Sequence, residues 1–292
     1  MPLTELQFAR QTKTAWFNEN FKKYQYADFG YVYLAYNLTD WKFSDRKVRQ
    51  ALTLAINREA IVKCAVLGMS QVAHSPYKPD SYWYNPAVAK WPYDPVQAIR
   101  LLEEAGWKDT NGDGILEKDG KHFEFTIITN QGNEARKNAA TIIQCNLKKV
   151  GIRVNIRVLE WAAFLKDFLQ KRNFDAYLCG WISSVDPDET DRWHSSKTGQ
   201  YQFNHIAYKN PEVDELLLAA AATHDPKARK KYYDKFQEIL AEDQPITFLW
   251  VIERLRAVHS RFHGIDPGPV GMDYNFEEWY VPRHLQKYKI EQ

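Results

Sequence analysis

Four polar side chains follow a short apolar segment and could bind a polar ligand. The segment Phe174–Trp181 predicts a strand, and the residues after it are Ser183, Ser184, Asp186 and Asp188. Because α/β proteins commonly bind ligands at strand ends, the spacing predicts a ligand site here. The alternative is that the two aspartates only form a turn and a helix cap.

The carboxylates of the same run also suggest a catalytic alternative. A hydrolase would use Asp186, Asp188 or Glu189. The sequence has no nucleophile elbow, phosphate loop or zinc-protease motif. Adjacent acidic pairs such as Glu103-Glu104 point in different directions, so they do not face one substrate as glycosidase carboxyls must. We therefore expect a protein that is not an enzyme.

A second polar cluster has the spacing of the first half of a calcium-binding loop. Its potential ligands are Asp109, Asn111, Asp113 and Glu117. The twelfth position of the loop is Gly120, so the glutamate that completes such a site is absent. Asn-Gly and Asp-Gly pairs are also typical of tight turns. We interpret the segment as a turn and expect no metal.

The histidines show no zinc-binding spacing on a predicted helix. Those weighed as metal ligands are His194, His205, His259 and His263. We interpret them as surface or hydrogen-bonded side chains, which would gain importance if the ligand were a metal complex.

Alternating periodicities between residues 123 and 181 predict an α/β sheet. The order is strand Phe123–Thr129, helix Asn133–Val150, strand Ile152–Val158, helix Trp161–Lys171 and strand Phe174–Trp181. This order is typical of parallel strands joined by crossover helices.

Cap signals place further helices on both sides of this region. The predicted N-caps are Ser44, Asn57, Asp94, Asn210 and Asp225. The other predicted strands are Phe29–Tyr36, Pro245–Glu253 and Leu255–His259.

Composition excludes several classes of protein. The chain has 292 residues, 45% hydrophobic and 26% charged, which predicts one or two soluble domains. A net charge of +2 is too small to indicate a nucleic-acid partner. No apolar run approaches the roughly 20 residues of a membrane span. No export-signal pattern opens the sequence, which alone favours the cytoplasm.

Five motifs occur in an order that is informative as a set. The first, Phe43–Ile61, is similar to F-x-D-x-R-V-R-Q-A-L-x-x-A-I-D-R. The others are Ala105–Gly114, Gly180–Asp188, Tyr208–Leu216 and Ile239–Pro245. Together they resemble the family 5 extracellular solute-binding proteins, the peptide, dipeptide and nickel receptors of ABC importers. Each motif is loose, but five in order over about 200 residues are not plausibly chance.

The resemblance implies an α/β fold of the class II periplasmic-binding-protein type. The chain would be the C-terminal portion of a two-lobed clamp, without the N-terminal half of the receptor. Residues 1–40 would be a remnant of a discontinuous lobe I, residues 41–253 a complete C-terminal lobe, and residues 254–292 the return segment to lobe I. No cofactor is implied.

The resemblance also implies a function and a location. The receptor would be periplasmic or otherwise extracytoplasmic, with a lipid anchor left open, which opposes the cytoplasmic reading. Its lobes would close on a peptide or similar small ligand and deliver it to the membrane subunits of an ABC permease. A receptor for a nickel or haem complex remains the alternative within the family.

Site roles follow by position from the same resemblance. Backbone groups of Gly180 and Ile182 would pair with an extended peptide, and Trp181 would wall a side-chain pocket. Peptide receptors often carry an aspartate three residues after this tryptophan, where it binds the ligand's α-amino group. Here that position is Ser184, which cannot form a charge-assisted bond. The two aspartates that follow are the candidate substitutes.

Overall fold

The computed structural model describes residues 2–11, 13–268 and 270–288. Its strands are β1 Phe21–Tyr36, β2 Glu117–Lys118, β3 Lys121–His122, β4 Glu124–Asn130, β5 Arg153–Leu159, β6 Ala176–Ile182 and β7 Ile246–His259. Five of them form one sheet in the order β5-β4-β6-β1-β7, and β2 pairs with β3 as a separate hairpin.

Eleven α-helices occur in the described ranges. They are α1 Glu5–Gln11, α2 Ala15–Asn20, α3 Trp41–Ser44, α4 Arg46–Ala55, α5 Arg58–Ala65, α6 Pro95–Glu104, α7 Glu134–Lys148, α8 Trp161–Ala163, α9 Thr190–Trp193, α10 Pro211–Ala222 and α11 Pro226–Asp243. Helix α8 continues as a π-helical segment, Phe164–Leu169, and 3₁₀ helices occupy Ser195–Lys197, Met272–Glu278 and Arg283–Leu285. Among the described helices, none combines the length and apolar character needed to cross a bilayer.

The predicted crossover order is confirmed. Strand β4 pairs in parallel with both β5 and β6, while β1 pairs antiparallel with β6 and β7. The observed ends of these elements differ from the predicted ends by only one or two residues. The helix after β5 continues in π-helical geometry, which was not predicted. The sequence pattern was sufficient here because each element carries its own apolar periodicity.

The prediction of two separate strands near the C-terminus was wrong. Residues 246–259 form the single strand β7, which pairs with β1 along almost its whole length. The apolar run before residue 252 is buried, and the charged positions Arg254 and Arg256 lie on a half-exposed continuation. This change of pattern reflects a change of environment along one strand. A bulge lies opposite this point, where the register shifts between Ala27 and Tyr31.

Four of the five predicted N-caps accept backbone hydrogen bonds. They are Asn57, Asp94, Asn210 and Asp225. The prediction for Ser44 was wrong, because the cap of α4 is Asp45, whose side chain accepts from the Lys47 N–H at 2.8 Å. Ser44 instead ends α3 and donates to the Trp41 carbonyl. Asp45 has the extended backbone that a cap requires, and its carboxylate also suits a helix N-terminus.

Both faces of the sheet are buried. Alternate residues of β6 show the division, since Ala176 and Leu178 pack with α4, α5 and α7. Tyr177 and Cys179 pack on the other face with α10 and α11. The strand is therefore held rigidly on both sides up to the point where the Gly-Trp motif begins.

The Arg-Gln-Ala-Leu motif of α4 holds the end of α11. Arg49 is 7% exposed, and its Nε and Nη2 donate to the Asp243 carbonyl at 3.1 and 2.9 Å. Its Nη1 donates to the Phe43 and Ser44 carbonyls at 2.8 and 3.0 Å. Gln50 donates in the same way to the Glu242 carbonyl at 2.7 Å. The motif thus supplies donors to helix-end carbonyls that lack partners within α11.

Two half-buried histidines give the fold a predictable acid sensitivity. Burial, with Arg58 nearby, lowers the pKa of His74 to about 4, and burial, with Arg192 nearby, lowers that of His205 to about 4. Each is neutral when folded, but protonates below about pH 6.5 when unfolded. Stability is therefore fully present above pH 6.5 and is lost as the pH falls towards 4.

We expect a His74→Asn variant to lose less stability than the native chain between pH 7 and pH 4.5. The difference should be about 1 kcal/mol after allowance for partial exposure, measured by urea unfolding at both pH values. His224→Asn is the control, because His224 is exposed. Burial raises the pKa of Glu253 to about 6. The contribution of this carboxyl to stability therefore falls as the pH rises from 4.5 to 6, which is opposite to the trend for His74. An unchanged pH dependence in His74→Asn would contradict the assignment.

Candidate ligand-binding site

The backbone of the Gly-Trp motif alternates between two sides of strand β6. The Ser183 N–H donates to the Phe29 carbonyl of β1 at 2.6 Å. Since bonded and non-bonded pairs alternate in an antiparallel ladder, the next pair, Gly30 and Ile182, exchanges no hydrogen bonds. Because backbone groups alternate along a strand, odd-numbered residues of the motif face β1. The N–H and C=O groups of Gly180 and Ile182 therefore point to the opposite side.

That opposite side is an open strand edge. The register of β4 against β6 ends at Tyr177 in the described part of the chain. The hydroxyl of Thr129 still donates to the Leu178 carbonyl at 3.0 Å, which confirms that even-numbered residues face this side. Beyond this bond, the described strands supply no partner for the edge at Gly180 and Ile182. An extended chain could pair there by strand addition.

A cavity of about 490 Å³ lies beside this edge. Its lining includes Ile182 from β6, Trp250 and Glu253 from β7, Arg136 from α7 and Glu5 from α1. Residues 132–136 form one wall, and Ile182 at the end of β6 forms another. The cavity therefore brings both apolar and charged side chains to the open edge.

Arg136 lies directly over the motif. Its Nη1 donates to the Asn130 side chain at 2.7 Å, and its Nη2 is 2.7 Å from where a Cβ on Gly180 would lie. The absence of a side chain at Gly180 thus makes room for the guanidinium. The Nε of Arg136 is buried and has no hydrogen-bond partner among the described residues.

Sequence reasoning missed Arg136. A signal was present, because it lies in the first turn of α7, capped by Asn133. A cation is unfavourable near a helix N-terminus, so an arginine there needs another reason.

The side chain of Trp181 lies on the sheet face that packs with α10 and α11, opposite to the face that Arg136 covers. Its ring contacts Phe203 with centroids 5.2 Å apart, and the Arg192 guanidinium lies 4.7 Å from its centroid. The ring is half-buried, and Phe203 is 48% exposed. Together they form an apolar wall next to the open edge.

The loop after β6 is clamped by ion pairing. Asp186 accepts two hydrogen bonds from Arg229, both at 2.9 Å, and this pairing lowers the pKa of the carboxyl. The hydroxyl of Ser184 donates to the Asp186 carbonyl at 2.9 Å. Asp188 is exposed and accepts from the Thr190 N–H. The charge of Asp186 is therefore already compensated, whereas Asp188 remains open to solvent.

Glu189 lies beneath the loop rather than on its surface. It is 3% exposed, accepts a hydrogen bond from the Ser183 hydroxyl, and burial raises the pKa of its carboxyl. A substrate in solution does not reach a side chain buried to this extent. The hydrolase alternative would therefore rest on Asp188 and the paired Asp186.

In the calcium-like segment, the first two potential ligands already bond to the backbone of the segment itself. Asp109 and Asn111 accept hydrogen bonds from backbone N–H groups of their own turn at 2.7 to 2.9 Å. His122, which was not among the predicted ligands, has its Nε2 3.3 Å from Asp113 and 3.2 Å from Glu117. These last three form the group with metal-ligand spacing found in the described ranges, and it is partly exposed. This cluster is distinct from the cavity beside β6.

The four histidines weighed as ligands do not converge on one another. His194 lies 3.8 Å from Asp214, and His205 stands edge-on to Tyr177. His259 accepts from the Arg261 N–H, and His263 stacks on a neighbouring ring.

Comparison with known proteins identifies the family. Residues 4–203 match the family described as bacterial extracellular solute-binding proteins, family 5 Middle. This chain belongs to that family. The resemblance carried by the five motifs is thereby confirmed, as is the α/β fold that it implied.

Individual members of family 5 give a finer comparison. The oligopeptide-binding protein AppA of Bacillus subtilis is 40% identical over 278 residues, which cover 94% of this chain and 51% of AppA. The structure of that protein with a nonapeptide has a TM-score of 0.86 at 38% identity, covering 97% of this chain and 56% of that one.

Two further members of the family are described with ligands other than oligopeptides. The glutathione-binding protein GsiB of Escherichia coli K12 is 32% identical over 239 residues, which cover 78% of this chain and 43% of GsiB. The structure of NikZ from Campylobacter jejuni with Ni(L-His) has a TM-score of 0.81 at 29% identity, covering 95% of this chain and 56% of that one. This solute-binding protein therefore spans about half the length of the relatives it matches.

Proposed function

We propose that this chain forms the C-terminal half of a peptide receptor for an ABC importer. An extended peptide pairs with the backbone of Gly180 and Ile182, and Trp181 walls the pocket for one of its side chains. The observation that carries the proposal is the open edge of β6 beside a cavity of about 490 Å³. Closure of a second lobe buries the peptide, and the closed receptor delivers it to membrane permease subunits. This role is outside the cytoplasm and involves no covalent chemistry.

Arg136 supplies the charged anchor of this site. Its unpartnered Nε, its position over Gly180 and its place in the cavity lining put a cation beside the open edge of β6. A carboxylate is the natural partner of such a group, because charge-assisted bonds are about twice as strong as neutral ones. We assign this anchor to the ligand's terminal carboxylate.

The opposite end of the peptide lacks the usual anchor. Ser184 carries no charge, and Asp186 is already paired with Arg229. Asp188 is the remaining candidate for the ligand's amino group, since its carboxylate is exposed and forms no ion pair among the described residues. Short peptides that depend on a strong amino-group bond are accordingly weaker candidates than longer ones.

Native mass spectrometry of the full-length receptor, purified without refolding, tests the class of ligand. Extra mass that fragments into peptides supports the proposal. Extra mass with a metal isotope pattern would replace it with the metal-complex alternative, for which the likeness to NikZ with Ni(L-His) is the supporting observation. A turned-over peptide or glycoside would indicate the hydrolase.

An Ile182→Pro variant tests the strand-addition geometry. Proline removes the N–H that faces the open edge, but no bond to β1 is lost, because Ile182 does not pair with Gly30 through hydrogen bonds. We expect peptide affinity to fall about tenfold, the size of one neutral hydrogen bond, measured by calorimetry on the full-length receptor.

Ile182→Ala is the matched control, since it removes the 53% exposed side chain and keeps the N–H. Its affinity should change less than about threefold. Equal losses in the two variants would show that the side chain matters and the backbone does not.

A further inference from the structure

A buried arginine lies under the Gly-Trp motif without a matching ion pair. Arg192 in α9 is 6% exposed, and its acidic neighbour is the buried Glu189 carboxylate, which interacts with it electrostatically from beyond ion-pair distance. Burying a charge in this way is costly unless the surrounding groups compensate it.

Aromatic rings supply part of that compensation. The centre of the Arg192 guanidinium lies 4.3 Å from the Tyr33 ring, 4.7 Å from Trp181, 5.1 Å from Tyr31 and 5.4 Å from Trp193. A guanidinium stacks well on such rings because it is planar and weakly hydrated. The arginine thus connects α9 with neighbouring positions of β1 and β6.

Polar atoms around the same arginine are incompletely paired. Four of them are buried and without a hydrogen-bond partner in the described part of the chain: Arg192 Nη1, Glu189 Oε2, Tyr31 Oη and Trp193 Nε1. The Glu189 carboxylate interacts with both Arg192 and the Trp193 indole, so the pairing is partial, and the part that is missing costs stability. A cluster of this kind beneath a ligand edge needs an explanation other than stability.

Glu189 connects this cluster to the other side of the motif. Its carboxylate accepts a hydrogen bond from the Ser183 hydroxyl, while the Ser183 N–H is bonded to β1. Trp181 and Ser183 are the chain neighbours of Ile182. Arg192 contacts the first and Glu189 bonds to the second, so both residues next to the open backbone of Ile182 have buried partners.

We propose that Arg192 is a positioning residue for the ligand edge. It fixes the orientation of the Trp181 ring, and Glu189 fixes Ser183, so the backbone of Ile182 is rigid before a ligand arrives. Rigid sites bind more tightly because less order is lost on binding. The ligand part of this inference rests on the proposed function, but the orientation of the ring does not.

The first test follows the ring itself by ¹⁹F NMR of protein labelled with 5-fluorotryptophan. The Trp181 resonance is assigned from its loss in Trp181→Phe. We expect one sharp Trp181 resonance in the native protein and a broadened or split one in Arg192→Lys, which keeps the charge but loses the planar stack. Resonances of Trp16 and Trp107 should not change. A sharp and unshifted Trp181 resonance in Arg192→Lys would overturn the proposal.

Arg229→Lys is the control for the ring experiment. Arg229 also stacks on a tryptophan, with its guanidinium 5.7 Å from the Trp83 ring centroid, but it does not contact Trp181. Its substitution should move the Trp83 resonance and leave that of Trp181 unchanged. Broadening of Trp181 in both variants would indicate a general loosening of the fold and contradict a specific role for Arg192.

The second test measures peptide affinity on the full-length receptor with a mixed nonapeptide pool. Arg192→Lys should weaken binding about five- to tenfold, and the same substitution in a Trp181→Ala background should weaken it less than about twofold. An equal loss in both backgrounds would show that Arg192 does not act through the ring. Failure of the native receptor to bind any peptide would refute the proposed function, while the ¹⁹F result would still decide the role of Arg192.

A Ser183→Ala variant keeps the inference testable if Arg192→Lys does not fold. It removes only the hydroxyl bonded to Glu189, and hydrogen exchange of residues 180–184 should then be about tenfold faster. Unchanged exchange there would show that Glu189 does not hold the edge.

Discussion

Replacing Arg49 with methionine is expected to lower the free energy of unfolding by about 3 kcal/mol. The side chain donates four hydrogen bonds to the carbonyls of three residues: Phe43, Ser44 and Asp243. Methionine fills similar space but donates nothing, so these partly buried carbonyls lose their partners. Each carbonyl left unpaired costs about 1 to 3 kcal/mol at most, and water can reach some of them. Urea unfolding of the chain at pH 7 measures the difference.

Arg46→Met is the matched control on the same helix. Arg46 is about half exposed and reaches Glu242 and Asp243 only at 3.5 and 3.9 Å. Exposed pairs of this kind contribute about 0 to 1 kcal/mol, so its loss should be small. A loss in Arg49→Met that is no larger than in Arg46→Met would refute the role assigned to the motif.

The Arg49 contacts show what the sequence could predict and what it could not. The apolar spacing of α4 predicted the helix, because every residue in that pattern is close in the chain. The partner of Arg49 is Asp243, 194 positions away, and no local pattern indicates it. The motif was therefore recognised as a pattern while its physical task was not.

Strand β1 gives a second example. The segment Phe29–Tyr36 was predicted from its alternating aromatic residues, but the strand begins at Phe21. Lys22, Lys23 and Gln25 interrupt the apolar pattern in its first part. That part exists because β7 pairs with it, with Phe21 opposite His259.

The site divides in the same way. The position of the polar run after β6 followed from a local strand pattern, and the roles of Gly180 and Ile182 in binding stay a prediction. The pairing of Asp186 with Arg229 joins residues 43 positions apart, so the sequence left the aspartate as a free candidate. An arginine in the first turn of α7 was a local signal that was overlooked, but its place over Gly180 exists only in the folded chain.

Replacing Arg136 with glutamine should weaken peptide binding to the full-length receptor by about 30- to 100-fold. A hydrogen bond to a charged group contributes about 1.5 to 3 kcal/mol, and a half-buried cation beside a cavity lies near the upper end. Glutamine keeps a donor and much of the length but removes the charge. Lys137→Gln is the control, because Lys137 is exposed and its ion pair in the described part of the chain, with exposed Glu134, is long at 3.7 Å.

The chemistry of the peptide's end separates a carboxylate anchor from general electrostatics. A peptide amidated at its C-terminus should bind the native receptor about as weakly as the free acid binds Arg136→Gln. The amide should bind native and variant receptors with affinities within about threefold, because the interacting pair is already broken. If Arg136→Gln weakens the free acid and the amide equally, Arg136 shapes the cavity and does not bind the carboxylate. The cation over Gly180 would then be a packing group, and the open edge of β6 would hold the peptide by its backbone alone.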